Sequence, residues 1–226
     1  MTELEAMTVR HSVRNFQDRP IPSDIQQKLL AEISKINRES GLHIQLVTDE
    51  PKAFTTGRAR YGSFSGVTNY FALIGPKDRN LDLKCGFWGE RLVLLAQQLG
   101  LNTCWVALTF GKVPSAYSID RGEALSCLIA VGYGVRPGNG HPVKSYRGIA
   151  SRATGDEPFW FQQGVKAALL APSAMNQQKY HFALENGNQV RAWTDRGFYT
   201  DLDLGIAMYH FERAAGKENF SWANGS

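Results

Sequence analysis

A mixed fold of helices and strands is predicted by three features of this 226-residue chain. Apolar residues recur at helical spacing in some segments and alternate with polar residues in others, with Gly and Pro placed between them. At 43% hydrophobic and 20% charged residues, the composition is that of a globular protein able to bury a sizeable core. No apolar run approaches the ~20 residues that a bilayer span needs.

Ile21-Pro22-Ser23-Asp24 reads as a helix entrance, followed by Ile25, Leu29, Leu30 and Ile33 at helical spacing and stopped by Gly41. Leu42, Ile44 and Leu46 alternate as a half-buried strand, and Tyr70-Phe71-Ala72-Leu73-Ile74 predicts a second strand closed by Gly75-Pro76. The stretch 54–69, rich in Gly, Ser, Thr and Arg, reads as an irregular loop. Residues 82–99 predict a long helix ending at Gly100; the succession Leu92-Val93-Leu94-Leu95 makes it apolar on nearly all sides, hence central. Buried strands follow at 103–107 and 125–133, then a Gly- and Pro-rich loop at 136–146. In the last third, 159–170 and 201–215 predict helices on either side of a strand carrying Tyr180, Phe182 and Leu184.

The last third repeats the plan of the first. Gln26-Gln27 and Gln162-Gln163 each begin a helix that runs through a short loop into a strand. Asp82-Leu83-Lys84-Cys85-Gly86 matches Asp201-Leu202-Asp203-Leu204-Gly205, and Ala96 and Ala215 fall at the same interval beyond the glycines. Two amphipathic helices can agree this far by chance, but the shared order of elements favours a decayed internal duplication. The period is too long for a solenoid. The expectation is one domain over 1–226 built from pseudo-repeated halves at about 1–150 and 151–226.

Several function classes are disfavoured. Cys85, Cys104 and Cys127 are an odd number without CxxC spacing, which fits buried thiols in a reducing compartment better than disulfides or zinc. The histidines show no metal-ligand pairing. The net charge of +4 is scattered, unlike a nucleic-acid-binding stripe, and suits an anionic small molecule. The acidic opening MTELEAMTVR has no apolar signal segment, so a cytoplasmic location is expected.

Four segments could carry chemistry. In Arg10-His11-Ser12-Val13-Arg14, alternate residues of an extended segment share a face, so two guanidinium groups and a hydroxyl could converge on a phosphate or carboxylate. Ala171-Pro172-Ser173-Ala174-Met175-Asn176-Gln177-Gln178 offers donors, acceptors and small residues that let a flat ring approach closely. The stretch Gly100-Leu101-Asn102-Thr103-Cys104-Trp105, with residues 107–110 beyond it, could present backbone N–H groups at a strand end. Lys144-Ser145-Tyr146-Arg147 adds two cations. Each segment taken alone also fits an ordinary role: residues 10–14 favour a solvated strand and 100–105 a buried strand, while 171–178 fits a turn and 144–147 a solvated loop.

Taken together, RHSVRNF, GLNTCW, VGYG with Lys and Arg downstream, and APSAMNQQ resemble the FMN-dependent nitroreductase superfamily over nearly the whole chain. The family's signature usually continues into Pro-Trp, where this chain has Lys179-Tyr180, and it usually follows the first helix. Here the first helix leads into Lys35-Ile36-Asn37-Arg38-Glu39-Ser40, and the signature comes after the helix of the second half. This resembles a subgroup with two nitroreductase-like halves in one chain.

The resemblance implies an α+β, three-layer fold with a central, mostly antiparallel sheet. It implies one FMN site between the halves, with Arg10, His11, Ser12, Lys144 and Arg147 toward the phosphate. Pro172, Ser173, Ala174, Met175, Asn176 and Gln178 would lie toward the ring, with Arg14 near its N1–C2=O edge and Ala107, Leu108 and Thr109 near N5. It implies an oxidoreductase that passes electrons from NAD(P)H through flavin to a nitroaromatic, quinone or similar acceptor. The alternative is a flavin-binding protein without turnover, a sensor or carrier. Partners would be small molecules, not nucleic acid or membrane, and the chain would be a monomer or homodimer.

Overall fold

The computed structural model describes residues 1–152 and 156–223. A short helix not anticipated from the sequence, α1 (Glu3–Val9), opens the chain. Thr2 and Glu5 form a reciprocal capping box: the Thr2 hydroxyl accepts from Glu5 N at 3.2 Å and the Glu5 carboxylate accepts from Thr2 N at 2.7 Å. Helix α2 (Ser23–Ser40) begins after Pro22 and ends where expected: Gly41 takes a left-handed φ of 72° and returns its N–H to Asn37 O.

The first sheet contains β1 (Gln45–Val47), β2 (Tyr70–Pro76), β3 (Asn102–Val106) and β4 (Glu123–Gly132), in the order β1-β2-β4-β3 with every pair antiparallel. The loop predicted at 54–69 holds the end of a helical turn, α3 (Lys52–Thr55), and a single 3₁₀ segment. Helix α4 (Leu81–Gln98) joins β2 to β3. After the 136–146 loop and a helical turn, α5 (Tyr146–Ile149), come β5 (Ala150–Arg152), α6 (Phe159–Ala168), β6 (Tyr180–Leu184), β7 (Gln189–Thr194), α7 (Thr200–Ala215) and β8 (Ser221–Trp222). The second sheet runs β5-β6-β7-β8, with β6 and β7 antiparallel and the outer pairs parallel.

The α+β class and the predominance of antiparallel pairing are as expected. The strands, however, are divided between two sheets, and the centre is occupied by helices. Phe71, Leu73 and Ile129 pack with Leu29 of α2 and Leu92 of α4 on one side. Phe161, Phe182, Phe211 and Val190 form the other core under the second sheet. Helices α4 and α7 meet between the two cores.

That contact explains the division. Gly86 packs on Leu202 O and Ile206 N, and Gly205 packs on Leu83 O and Phe87 N. The same sequence offset relates Gly86 to Gly205, Leu83 to Leu202 and Phe87 to Ile206, so the crossing is nearly two-fold symmetric. A Cβ on either glycine would collide with helix backbone, which cannot move aside as a side chain can. Two helices this close leave no room for a sheet to pass between them.

Gly86→Ala or Gly205→Ala is therefore expected to lower unfolding stability by about 1–3 kcal/mol in chemical denaturation. Gly140→Ala, where the added carbon meets only His11 Cε1 at an ordinary 3.6 Å, should be close to neutral.

Candidate functional site

Residues 10–16 run extended along the edge of the first sheet. Val13 N donates to Thr103 O at 3.0 Å, and Phe16 N donates to Ser65 O at 2.9 Å. Val13 and Phe16 are buried in the core below. The 136–141 loop lies over this segment, where Gly138 sits against Ser12 O and His11 Cβ with no space for a side chain. The ends of the 171–178 segment and of α7 complete the walls.

The result is a cleft in two continuous parts. One part, about 880 Å³, is lined by Arg10, His11, Ser12, Arg14, Arg136 and His141, with Pro172, Ser173, Met175 and Asn176 opposite. No carboxylate lines it among the described residues. The other, about 640 Å³, is mostly apolar and is lined by Trp105, Val106, Leu108, Phe198, Leu202 and Ile206, with Ala107, Thr109 and Ala174. Ser12, Arg14, Pro172, Ser173 and Met175 line both. One end thus suits an anion and the other a flat apolar group.

Two buried nitrogens in the basic part have no partner: Arg10 Nε and His141 Nε2. Arg10 is only 3% exposed, and its nearest opposite charge is Glu90, with Nε 3.9 Å from Oε1. Burial lowers the guanidinium pKa, and the Glu90 charge raises it in opposition. Burial, and then the neighbouring Arg10 charge, lower the His141 pKa from its ordinary value and so disfavour the charged ring. Unmade buried donors are costly, and an anion in this part of the cleft would satisfy the guanidinium.

Of the residues singled out from the sequence, Arg10, His11, Ser12, Arg14, Ala107, Leu108, Thr109, Pro172, Ser173, Ala174, Met175 and Asn176 line the cleft. Three do not. Arg147 is 70% exposed and pairs with Glu157 at 2.6 Å. Lys144 turns its Nζ to Gln178 O at 2.7 Å. Gln178 is buried and spent on structure: Nε2 donates to Pro142 O and Asn176 Oδ1, each at 2.8 Å, and Oε1 accepts from Lys144 N at 2.9 Å. Asn176 lines the wall, but its amide donates to Pro142 O at 2.8 Å and is likewise committed to the loop. Arg136 and His141, from a loop that reads as a mere connection, supply the further polar groups.

The sequence reading also missed Phe198, Tyr199, Leu202, Asp203 and Ile206. Asp203 had a signal, being an acid within the otherwise apolar run 202–207. Its buried carboxylate accepts from Ala174 N at 2.9 Å and from Gln177 Nε2 at 2.7 Å. Burial raises its pKa to about 6 in spite of these bonds, which pull the other way.

A family profile described as "Putative TM nitroreductase" matches residues 3–215. The chain belongs to the nitroreductase family. A solved structure from Thermotoga maritima, described in the same terms as that profile, superposes with a TM-score of 0.66 at 22% identity, over 96% of this chain and 85% of that one. A Bacteroides thetaiotaomicron structure described as a "Putative NADH dehydrogenase/NAD(P)H nitroreductase" gives 0.51 at 18% identity, over 65% and 95%. A nitroreductase-like protein from Streptococcus mutans gives 0.51 at 15% identity, over 66% and 96%. At these identities the superpositions establish a shared fold. No curated protein sequence matches the chain. Membership in this family places the chain among oxidoreductases, and no helix among the described residues is long and apolar enough to cross a membrane.

The raised Asp203 pKa has a definite sign for stability. A carboxyl whose folded pKa lies above its unfolded value makes no difference below its ordinary value of 3.8. It costs stability progressively as pH rises to about 6, and fully above that. Asp203→Asn is expected to remove this part of the pH dependence, so the thermal midpoint of the ligand-free variant should change less than that of wild type between about pH 4 and pH 8, read by calorimetry.

Proposed function

We propose that this chain is an FMN-dependent oxidoreductase, with one flavin site per chain formed between two nitroreductase-like halves. The observation that carries the reading is the polarity of the cleft: a basic end, where the buried Arg10 Nε makes no hydrogen bond, shares five lining residues with a mostly apolar end of about 640 Å³. The near-symmetric glycine contact between α4 and α7 supports the two halves, as does a cleft wall drawn from residues 10–14 on one side and 172–175 on the other.

Arg10, Ser12 and Arg136 would hold the phosphate, with His141 beside them. Pro172, Ser173 and Ala174 would bound the ring on one side and Trp105, Leu202 and Ile206 on the other. Arg14, which lines both parts of the cleft, would sit where a fixed cation favours a negative charge on the ring system. When bound, the flavin would supply hydride acceptance from a nicotinamide and electron delivery to an acceptor. The chain's part is to bind, orient and shield. Asp203, in the ring-end wall, opposes Arg14 in sign and keeps that end from being uniformly cationic. NADH or NADPH as donor, and a nitroaromatic or quinone as acceptor, complete the proposal. The similar Bacteroides thetaiotaomicron protein, described as an NADH dehydrogenase/NAD(P)H nitroreductase, supports the same donor. The chain would act on small molecules in the cytoplasm, as a monomer or homodimer.

The absorption spectrum of the purified protein, before and after added FMN, tests the reading. Flavin bands, release of FMN on denaturation, and bleaching by NADH or NADPH without oxygen are the expected results. Arg10→Ala or Arg14→Ala should weaken FMN binding about tenfold or more, the loss of a charge-assisted hydrogen bond. A folded protein that takes up no FMN would overturn the reading, and one that binds FMN but is not bleached would be a flavin carrier or sensor.

A further inference from the structure

We propose that Asp203 is the positioning residue that holds the 174–178 loop in shape against the ring end of the cleft. The inference rests on the FMN reading for its functional meaning. Met175, Asn176 and Gln178 all take left-handed backbone conformations, with φ of 50°, 53° and 45°, and Tyr199 on the facing turn has a φ of 59°. Side chains larger than glycine disfavour this region, and a loop that visits it three times within four residues must be held from outside.

The holding is done from both ends. Gln178 N donates to Ser173 Oγ at 3.0 Å, and its side chain ties the loop to Pro142. At the other end the two Asp203 oxygens take Ala174 N and Gln177 Nε2, and the same Gln177 nitrogen donates to Phe198 O at 2.8 Å. The carboxylate therefore joins the loop to the first turn of α7, the Gln177 amide joins it to the turn before that helix, and these segments line the apolar part of the cleft.

The carboxylate accepts both bonds at full strength only while ionised. Protonation leaves one oxygen a weaker acceptor, replacement by Asn sets an N–H against one of the two donors, and the Gln177 amide cannot turn over without giving up Phe198 O. The charge is not neutralised by a neighbour: no cation pairs with Asp203 among the described residues. Arg14, Cys104 and Tyr199 line the same cavity, and the buried Tyr180 phenol is raised partly by the Asp203 charge. On the facing helix α4, Asp82 accepts from Ser126 and Lys84 turns to Asp78. Burial without a countercharge lifts the Asp203 pKa to about 6, so the tie is closed at neutral pH and opens in mild acid.

Titrating full-length wild type and Asp203→Asn with FMN, by quenching of flavin fluorescence, tests this at two pH values. The variant should bind about tenfold more weakly at about pH 7.5, and the two proteins should converge near pH 5. The FMN phosphate titrates in the same range but alike for both proteins, so it cancels in their ratio. Equal affinities at both pH values, or one constant ratio, would overturn the proposal, the latter marking a role independent of charge. Hydrogen exchange of the 174–178 peptide without FMN gives a second reading: exchange should be faster in Asp203→Asn at neutral pH, and equal exchange would count against the clamp. If that difference is present while wild type takes up no FMN, the clamp stands and the flavin reading falls.

Discussion

The close approach of α4 and α7 at Gly86 and Gly205 is the constraint on which the rest of the molecule depends. Helices reach backbone contact only where neither carries a Cβ, and each of these glycines lies against a carbonyl of the other helix. With the axes fixed at that point, the residues that meet further along are fixed as well. One turn beyond Gly86 stands Glu90, and just over a turn beyond Gly205 stands His210. Their side chains meet in the interior, with His210 Nε2 2.9 Å from Glu90 Oε1.

A buried carboxylate is costly unless its oxygens are occupied. Glu90 is fully buried, and both of its oxygens are engaged. Oε2 accepts from Trp105 Nε1 at 3.0 Å, while Oε1 faces His210 and, at 3.9 Å, the Arg10 guanidinium. His210 Nδ1 lies 3.0 Å from Ala167 O, an oxygen that can only accept, so that nitrogen carries a hydrogen. One further proton then lies between Nε2 and the carboxyl. Through this one side chain the helix crossing reaches the cleft twice: Arg10 stands in its basic part and Trp105 in its apolar part.

Much of this could be read in the sequence, and the parts that could not share a cause. Helices α2, α4 and α7 announce themselves by spacing and by Gly41, Gly100 and the repeated Asp-Leu run. The capping box at Thr2 and Glu5 was a usable signal for α1, whereas two-residue β8 carries no periodicity at all. Arg10, Ser12 and Arg14 were legible because alternation in an extended segment is local. Lys144 and Arg147 were misplaced because position along a loop does not determine facing: Gln178 and Glu157, distant in the argument from sequence, draw them away. Arg136 and His141 were hidden for the same reason. Asp203 was visible as an oddity in an apolar run, but only its bonds to Ala174 and Gln177 give it a role.

The charges of the cleft admit a two-part ligand in one direction only. Arg10 and Arg136 stand in the part that no carboxylate lines, and Asp203 stands in the wall of the apolar part. A ligand with an anionic head and a flat tail gains at both ends when the head lies among the guanidinium groups. Reversed, its head would face a buried carboxylate across apolar side chains, where like charges repel most strongly, and its tail would strip water from cations without replacing it. Arg14, common to both parts, then meets the ligand at the junction of head and tail. Orientation is thus decided by where the chain has placed its few charges, before any single contact with the ring is made.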